Sequence, residues 1–574
     1  MKRVLPYVKP YFGYALGALL CAAVNVSLAL LAPVLVGGAI DYIIGKGSVD
    51  FASVMTILIT LAAVIAGSAL FSWIMGLCTN ALSYYTVRDI RRDVFLKFNT
   101  SQTSFADSNP HGDLISRIIN DVDALGDGLL QAVTQLFTGV ITIIGTLCFM
   151  ISINYKIAIA VVLVTPLSLF AAAFIGRLSS RKFREQQRLQ GELGGIAEEL
   201  ISNQRLVKAF CYEEESLTRF DRVNNEFYTV GQKAQFAGSL ANPTTRFVNG
   251  IVYASVGVIG ALSAVGRALS IGQISCFLSY ANQYTKPFNE VTGVLTQFQT
   301  ALASVKRIFD VIDGAPDEES PKTPVPMQDC KGSVEFKNVS FSYTPNQRLI
   351  ENLSFSVKAG QRVAIVGPTG CGKTTLINLL MRFYDVTGGE ILLDGVDIRE
   401  IDLEKLRSKY GMVLQESWLF NATVMDNLRY GNENATDEEI IRAAKLCHAH
   451  DFISRLPDGY QTIINREGSN LSNGQRQLLC IARVMLTDPA VLILDEATSS
   501  IDTLTEKRVQ SAFAKLMEGR TSFIVAHRLS TIVNSDKILV MKDGDVIEQG
   551  THSELMEKRG FYYTLQTASA PAAK

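Results

Sequence analysis

Before residue 300 the chain holds six runs of mainly apolar residues, at about 12–43, 52–83, 128–153, 156–178, 244–266 and 272–299. A helix needs about 20 such residues to cross the hydrocarbon of a bilayer. In that medium, an open strand edge or loop would leave its peptide groups without hydrogen-bond partners. The runs therefore predict an all-α membrane domain of six spans. Composition agrees, because 48% hydrophobic and 19% charged residues make the chain more apolar than an ordinary soluble domain. The apolar share is concentrated ahead of about Lys306, and the remainder of the chain is of soluble type.

Charge sets the orientation. Two connections are long and polar, 84–127 and 179–243, and they carry Arg88, Arg91, Arg92, Lys97, Arg117, Arg181, Lys182, Arg184, Arg188, Arg205 and Lys208. The short connections offer only Lys46, Lys156 and Arg267. By the excess of basic residues on the inner side, both termini and both long loops are expected in the cytoplasm. The long loops read as extensions of the spanning helices, since the apolar residues of Val87–Phe95 recur at helical spacing. Met1-Lys2-Arg3 ahead of an apolar run suggests a secretory signal. The run to Ile44 is far longer than a signal core, however, and Leu20 precedes Cys21 where a lipoprotein cleavage site would want a small residue, so none is expected.

With 54 basic and 55 acidic residues the net charge is −1, and no global field points to nucleic acid as a partner. The nine cysteines form no CxxC pair, so neither a zinc site nor a disulfide framework is expected. Polar groups inside the spans are few: Asn25, Asn80, Asn249, Asn282, Gln283, Gln297, Gln299, and the pair Lys286 and Glu290 around Pro287. Intramembrane charge usually faces a cavity or a partner. A structural pair one helical turn apart is the other reading, and the sequence leaves both open.

Residues 313–332 are rich in proline and acid and read as a linker between a membrane domain, 1–312, and a second domain, 333–574. The second domain opens with an apolar strand, Arg362–Val366, that runs into Gly367-Pro368-Thr369-Gly370-Cys371-Gly372-Lys373-Thr374. Strand, glycine-rich loop and helix are the context in which G-x-x-x-x-G-K-[ST] binds phosphate. The glycines let backbone N–H groups curl around phosphate oxygens at a helix N-terminus, the lysine reaches the terminal phosphates, and the threonine hydroxyl ligates Mg2+. The candidate ATP residues here are Gly367, Thr369, Gly370, Cys371, Gly372, Lys373, Thr374 and Thr375. A second apolar strand, Val491–Leu494, ends in Asp495 and Glu496, one carboxylate to hold Mg2+ and one to polarise the attacking water. At the start of the phosphate-loop helix the thiol of Cys371 is expected to be reactive.

Between these motifs lies Leu471-Ser472-Asn473-Gly474-Gln475, which resembles the LSGGQ signature of ABC proteins with Asn473 in place of a glycine. Tyr343, Gln415, the run Ser499-Ser500-Ile501-Asp502, and His527 follow in the order of that family. The whole chain resembles one half of an ABC exporter, six spans fused to an α/β P-loop ATPase of the ABC type. The resemblance implies that Tyr343 stacks on adenine, that Gln415 senses Mg2+, and that His527 contacts the γ-phosphate beside Lys373 and Glu496. It adds Asp502 to the nucleotide site, and it makes Thr374, Gln415 and Asp495 the metal residues. Ser472, Gly474 and Gln475 would serve the nucleotide of a second half-transporter. The segments Phe105–Leu125 and Asn203–Phe210 resemble the loops through which exporters press on their ATPase domains. His111, His448, His450 and His552 match nothing and read as plain surface residues.

The resemblance implies ATP-driven export of an amphipathic small molecule, lipid or peptide across the lipid membrane by alternating access, by a dimer of half-transporters. An ATP-gated channel or regulator is the alternative use of the same engine. Glycine suits left-handed or closely approached backbone, and asparagine adds bulk beside a phosphate, which leaves either a homodimer whose altered signature still works or a heterodimer with unequal sites. The heterodimer is favoured because Lys373, Glu496 and His527 of the chain's own site are complete and only the donated Asn473 departs.

Overall fold

In a computed structural model of the chain, the described residues are 3–569 apart from 44–48, 266–268, 319, 322, 328, 345, 346, 348, 415, 416, 466–469, 496–501 and 526–531. Contacts divide them into two units: Met1–Asn99 with Asn109–Ala315, and Thr100–Ser108 with Pro316–Lys574.

The first unit is helical. Its long helices are Phe12–Asp41, Phe51–Thr100, Thr138–Ile153, Tyr155–Ser202, Glu213–Ser239, Ala241–Val265 and Ile271–Gly314. The third follows a helical stretch that widens into π-helical turns at Arg117–Asp121 and Ala132–Phe137. The 50-residue helix Phe51–Thr100 is about 75 Å long at 1.5 Å per residue, far more than the hydrocarbon requires, so the long loops do extend the helices. By length and composition, four helical runs among the described residues can cross a membrane: Leu5–Asp41, Phe51–Thr100, His111–Ile153 and Glu213–Val265. The other two expected spans lie within Tyr155–Ser202 and Ile271–Gly314. Both start at a clear cap. The side chain of Asn154 accepts from the N–H groups of Lys156 and Ile157, and Ser270 forms a reciprocal capping box with Gln273.

Helix Ile271–Gly314 is the hub of this unit and packs against helices Phe12–Asp41, Thr138–Ile153, Tyr155–Ser202 and Ala241–Val265. The fully buried Tyr280 donates its hydroxyl to the carbonyl of Leu30 at 2.5 Å. Near its start, the hub crosses helix Phe12–Asp41 so closely that a Cβ on Gly272 would lie 2.0 Å from the carbonyl oxygen of Gly37. Asp41 locks the crossing by accepting from Gly272 N at 2.8 Å and from Ser270 Oγ at 2.6 Å. Farther along, buried Asp121 accepts from Ser304 Oγ at 2.9 Å and from Arg307 Nε at 2.8 Å, with a second bond from the guanidinium. Burial alone would raise the pKa of this carboxyl, but the bonds from Arg307 and Ser304 hold it below the usual range.

The second unit carries two sheets. The smaller, of order β2-β1-β4-β5, is antiparallel and consists of Ile350–Val357 (β2), Val334–Phe341 (β1), Gly388–Leu393 (β4) and Val396–Asp397 (β5). The larger has the order β10-β9-β3-β8-β7-β6. Its strands Lys537–Lys542 (β9), Arg362–Val366 (β3), Thr521–Val525 (β8), Val491–Asp495 (β7) and Tyr410–Val413 (β6) run parallel, with Asp545–Gly550 (β10) antiparallel at the edge. The parallel strands are apolar along their centres because both faces are covered. Ala364, Leu492, Ile524 and Ile538 enter one core, and Ile365, Ile493, Phe523 and Leu539 the other.

The linker segment after Ala315 is bound along the ATPase unit: Glu318 pairs with both terminal guanidinium nitrogens of Arg407, Val325 N donates to Glu400 O, and Asp394 accepts from the N–H groups of Lys331, Gly332 and Ser333. Of the expected contact loop Phe105–Leu125, only the part up to Ser108 belongs to this unit. That unit begins earlier, at Thr100, where Gln102 N donates to Pro316 O, Glu318 N donates to Thr100 O, and Tyr384 donates its hydroxyl to Asp107. The segment Asn203–Phe210, with the short helix Gln204–Ala209, lies in the helical unit.

Candidate nucleotide site

The register of the large sheet assembles the site. Ile365 of β3, Val525 of β8 and Asp495 of β7 stand side by side across three parallel strands. Asp495 is thus two strand spacings, about 10 Å, from the strand that feeds the glycine loop. Ligands of open parallel sheets bind beyond these strand ends.

The loop itself is shaped by sterics. A Cβ on Gly367 would lie 2.3 Å from the carbonyl oxygen of Met541 on the neighbouring β9, so only glycine lets the two backbones pass. Gly372, at φ 101°, forms the left-handed turn that opens helix Lys373–Leu380. The ammonium of Lys373 is held at the centre of the loop by the carbonyls of Gly367 and Pro368, both at 2.9 Å. Thr369, Gly370 and Thr374 are exposed at the mouth, and a Cβ at Gly370 would meet nothing within 4 Å. An open cradle of backbone amides at a helix start, with one centred cation, fits a polyphosphate.

Tyr343 stands over the same helix. Its ring is 42% exposed, and its hydroxyl lies 3.3 Å from Thr375 Oγ1 and 3.3 Å from Asn378 Nδ2. Edge contacts with Phe341 and Tyr384 fix the ring and leave a face for a planar partner. Nothing in the sequence marks Asn378 or Tyr384; Asn378 lies on the helix that the glycine loop opens, and Tyr384 lies just beyond its end.

Cys371 departs from expectation. Its side chain is 3% exposed and packs into the core with Val363 and Leu376, and its sulfur lies 3.9 Å from the ammonium of Lys373, so the thiol is buried under the loop and not open at its mouth.

The signature segment opens helix Asn473–Met485. Ser472 caps it in a reciprocal box, Ser472 Oγ accepting from Gln475 N and Gln475 Oε1 accepting from Ser472 N. Gly474 is buried, whereas Ser472 and Asn473 are exposed. Asn473 is the first helical residue, is not among the left-handed positions, and accepts a hydrogen bond from Arg476. The left-handed backbone that would have required glycine is therefore not present at this position. Asp502 caps helix Thr503–Met517, accepting from Leu504 N and Thr505 N at 3.1 and 2.9 Å. These bonds, first of all the backbone bond from Thr505, lower its pKa.

Gln415, Glu496, Ser499, Ser500, Ile501 and His527 lie outside the described residues. Of the histidines read as plain surface, three have side-chain partners: His450 with Tyr460 at 2.9 Å, His552 with Tyr562 at 2.7 Å and His448 with Ser511 at 3.2 Å. In the helical unit, Lys286 opens onto a cavity of about 310 Å³. The side chain of Glu290 is not among those described.

Two family profiles match consecutive parts of this chain, the ABC transporter transmembrane region over residues 16–288 and the ABC transporter family over residues 350–499. The chain is 40% identical to the fatty acid ABC transporter ATP-binding/permease protein of Mycobacterium bovis, over 91% of this chain and 83% of that one. It belongs to the ABC transporter family. This ABC transporter is also 35% identical to the ATP-dependent lipid A-core flippase of Syntrophus aciditrophicus, over 98% of this chain and 93% of that one. A solved structure of a bacterial Atm1-family ABC exporter with ATP bound matches it with a TM-score of 0.81 at 28% identity, covering 98% of this chain and 99% of that one. The transporter is thus a multi-pass membrane protein of the exporter type whose cytoplasmic ATPase domain binds ATP and couples its hydrolysis to transport.

Proposed function

We propose that this ABC transporter exports a lipid-like amphiphile by ATP-driven alternating access, as a dimer of two six-span halves. The observation that carries the engine is the strand row that sets Asp495 beside the glycine loop and its centred Lys373. Two relatives named for fatty acid and for lipid A-core support the cargo class. The boundaries follow the sequence reading, with spans up to 312, a connecting segment 313–332 and the ATPase from 333.

In this reading, Tyr343 offers its exposed face to adenine. The amides of Gly367–Thr375 cradle the phosphates, and Lys373 leaves its two carbonyl partners for the terminal ones. Thr374, Gln415 and Asp495 would hold Mg2+, which supplies neutralisation of phosphate charge. Glu496 orients and deprotonates the water, and His527 contacts the γ-phosphate. Ser472, Gly474 and Gln475 face the nucleotide of the partner half, with Asp502 stabilising the turn at that seam. Closure of the two ATPase domains drives the spans from inward- to outward-facing.

Heterodimer and homodimer both use this engine. The heterodimer reading rests on a complete set of own-site residues, Lys373, Glu496 and His527, beside a departure only in the donated signature, at Asn473. The homodimer gains from its helical backbone and its bond to Arg476, which draws the amide side chain back onto its own helix. ATPase rates of this chain alone in lipid nanodiscs, beside Glu496→Gln, decide between them. Hydrolysis lost in the variant means that a homodimer is competent. Folded, ATP-binding protein with no hydrolysis requires a second, different half.

A further inference from the structure

The cavity in the helical unit is bounded by helix Phe12–Asp41, the stretch that includes the π-helical turn Ala132–Phe137, and the hub helix at its proline. Val26 and Leu30 give it an apolar wall, while Gln135, Thr138, Gln283 and Lys286 give it a polar one. Among the described residues that line it, Lys286 is the one charged residue, and it is exposed. Among the described residues no carboxylate lies within ion-pair distance of its ammonium.

One further polar group at this wall has no partner. The hydroxyl oxygen of Thr138 is buried without a hydrogen bond. A π-helical turn in the facing wall adds the kind of local irregularity that marks functional sites.

An ammonium at membrane depth is costly unless it finds an opposite charge. We infer that the cavity around Lys286 holds the head group of a singly anionic, carboxylate-bearing amphiphile, with its acyl chain along Val26 and Leu30. This rests on the lipid-like cargo proposed above and narrows it. One cation matches one negative charge, and about 310 Å³ lies at the lower end of small-molecule sites. It has room for a head group and the first methylenes, but not for a large, multiply charged saccharide head. Thr138 and Gln283 supply the neutral hydrogen bonds that orient a carboxylate once its charge is met.

Photo-crosslinking by a diazirine-bearing fatty acid tests this in nanodiscs, with peptides mapped to helices Phe12–Asp41 and Ile271–Gly314. Unlabelled fatty acid and the matching fatty alcohol serve as competitors. A charge-assisted bond predicts that the acid competes at concentrations at least about tenfold lower than the alcohol. Lys286→Gln should erase that preference, and Lys286→Arg should keep it. Equal competition by acid and alcohol in the wild type, or an unchanged preference in Lys286→Gln, overturns the inference and leaves amphiphile export standing. A preference that emerges only in Glu290→Gln also overturns it, because Lys286 is then neutralised within its own helix. Labelling no higher than in empty nanodiscs, or labelling that neither competitor displaces, overturns the cargo reading itself.

Discussion

Two lysines, one in each unit, are treated in opposite ways. Lys373 is wrapped by its own loop, with two backbone carbonyls at 2.9 Å, and sits in a cradle that glycines at 367 and 372 shape to backbone precision. Lys286 looks into a cavity with no described carboxylate near it. The first is set by a local motif, because the residues that position it lie within seven positions of it. The second is positioned by helices more than a hundred residues apart, and what would complete it lies outside the chain. A site that binds what every member of a family binds can be written as a short string. A site that distinguishes cargo is written in the packing of helices.

The largest effect belongs to the wrapped lysine. Lys373→Ala should lower ATP hydrolysis by about a hundredfold or more, the scale seen when one preorganised charge or donor is removed from an active site. The fold, read by circular dichroism, should persist. Near-normal hydrolysis would reduce Lys373 to a structural plug and would break the contrast with Lys286.

Asp121 is a structural counterpart, a charge in the helical unit that is paired within the chain. Asp121→Asn should cost about 1–3 kcal/mol, the scale for a buried hydrogen bond to a charged group, with the half-exposed Arg307 limiting the loss. This is read as a lower temperature of half-loss in size-exclusion thermostability. Since the folded pKa of Asp121 is depressed, its contribution is complete above the unfolded value near 3.9 and fades as pH falls through the folded one. Wild type and variant should differ equally at pH 6 and pH 8 and converge only in acid. A difference that vanished already at pH 6 would mean the pair is not formed.

Much of the fold class was legible because two physical constraints act locally. Apolar length dictates helices in a membrane, and strand, glycine loop and helix dictate a phosphate cradle. The helical extensions of the spans were legible from the periodicity of Val87–Phe95. What depends on rotation about an axis or on distant packing was not. The crossing of Gly37 with Gly272 and its lock by Asp41 joins residues over two hundred positions apart. The inclusion of Thr100–Ser108 in the ATPase unit rests on backbone pairing with Pro316 and Glu318. Cys371 could be placed at a helix start, but the direction of its thiol depends on how the loop turns against β9. Lys286 could be placed in a span, but not on its cavity face. Asn473 was weighed as a backbone misfit, and its helical conformation removes that reason while leaving its bulk.

The most direct measurement is ATP-dependent accumulation, in inside-out vesicles, of a slowly permeating, carboxylate-bearing lipid analogue, comparing this transporter with Lys373→Ala. Export predicts uptake against the gradient that stops in the variant. Flux that only runs downhill, and that continues unchanged in Lys373→Ala, would contradict an ATP-driven exporter and point to a channel on the same frame.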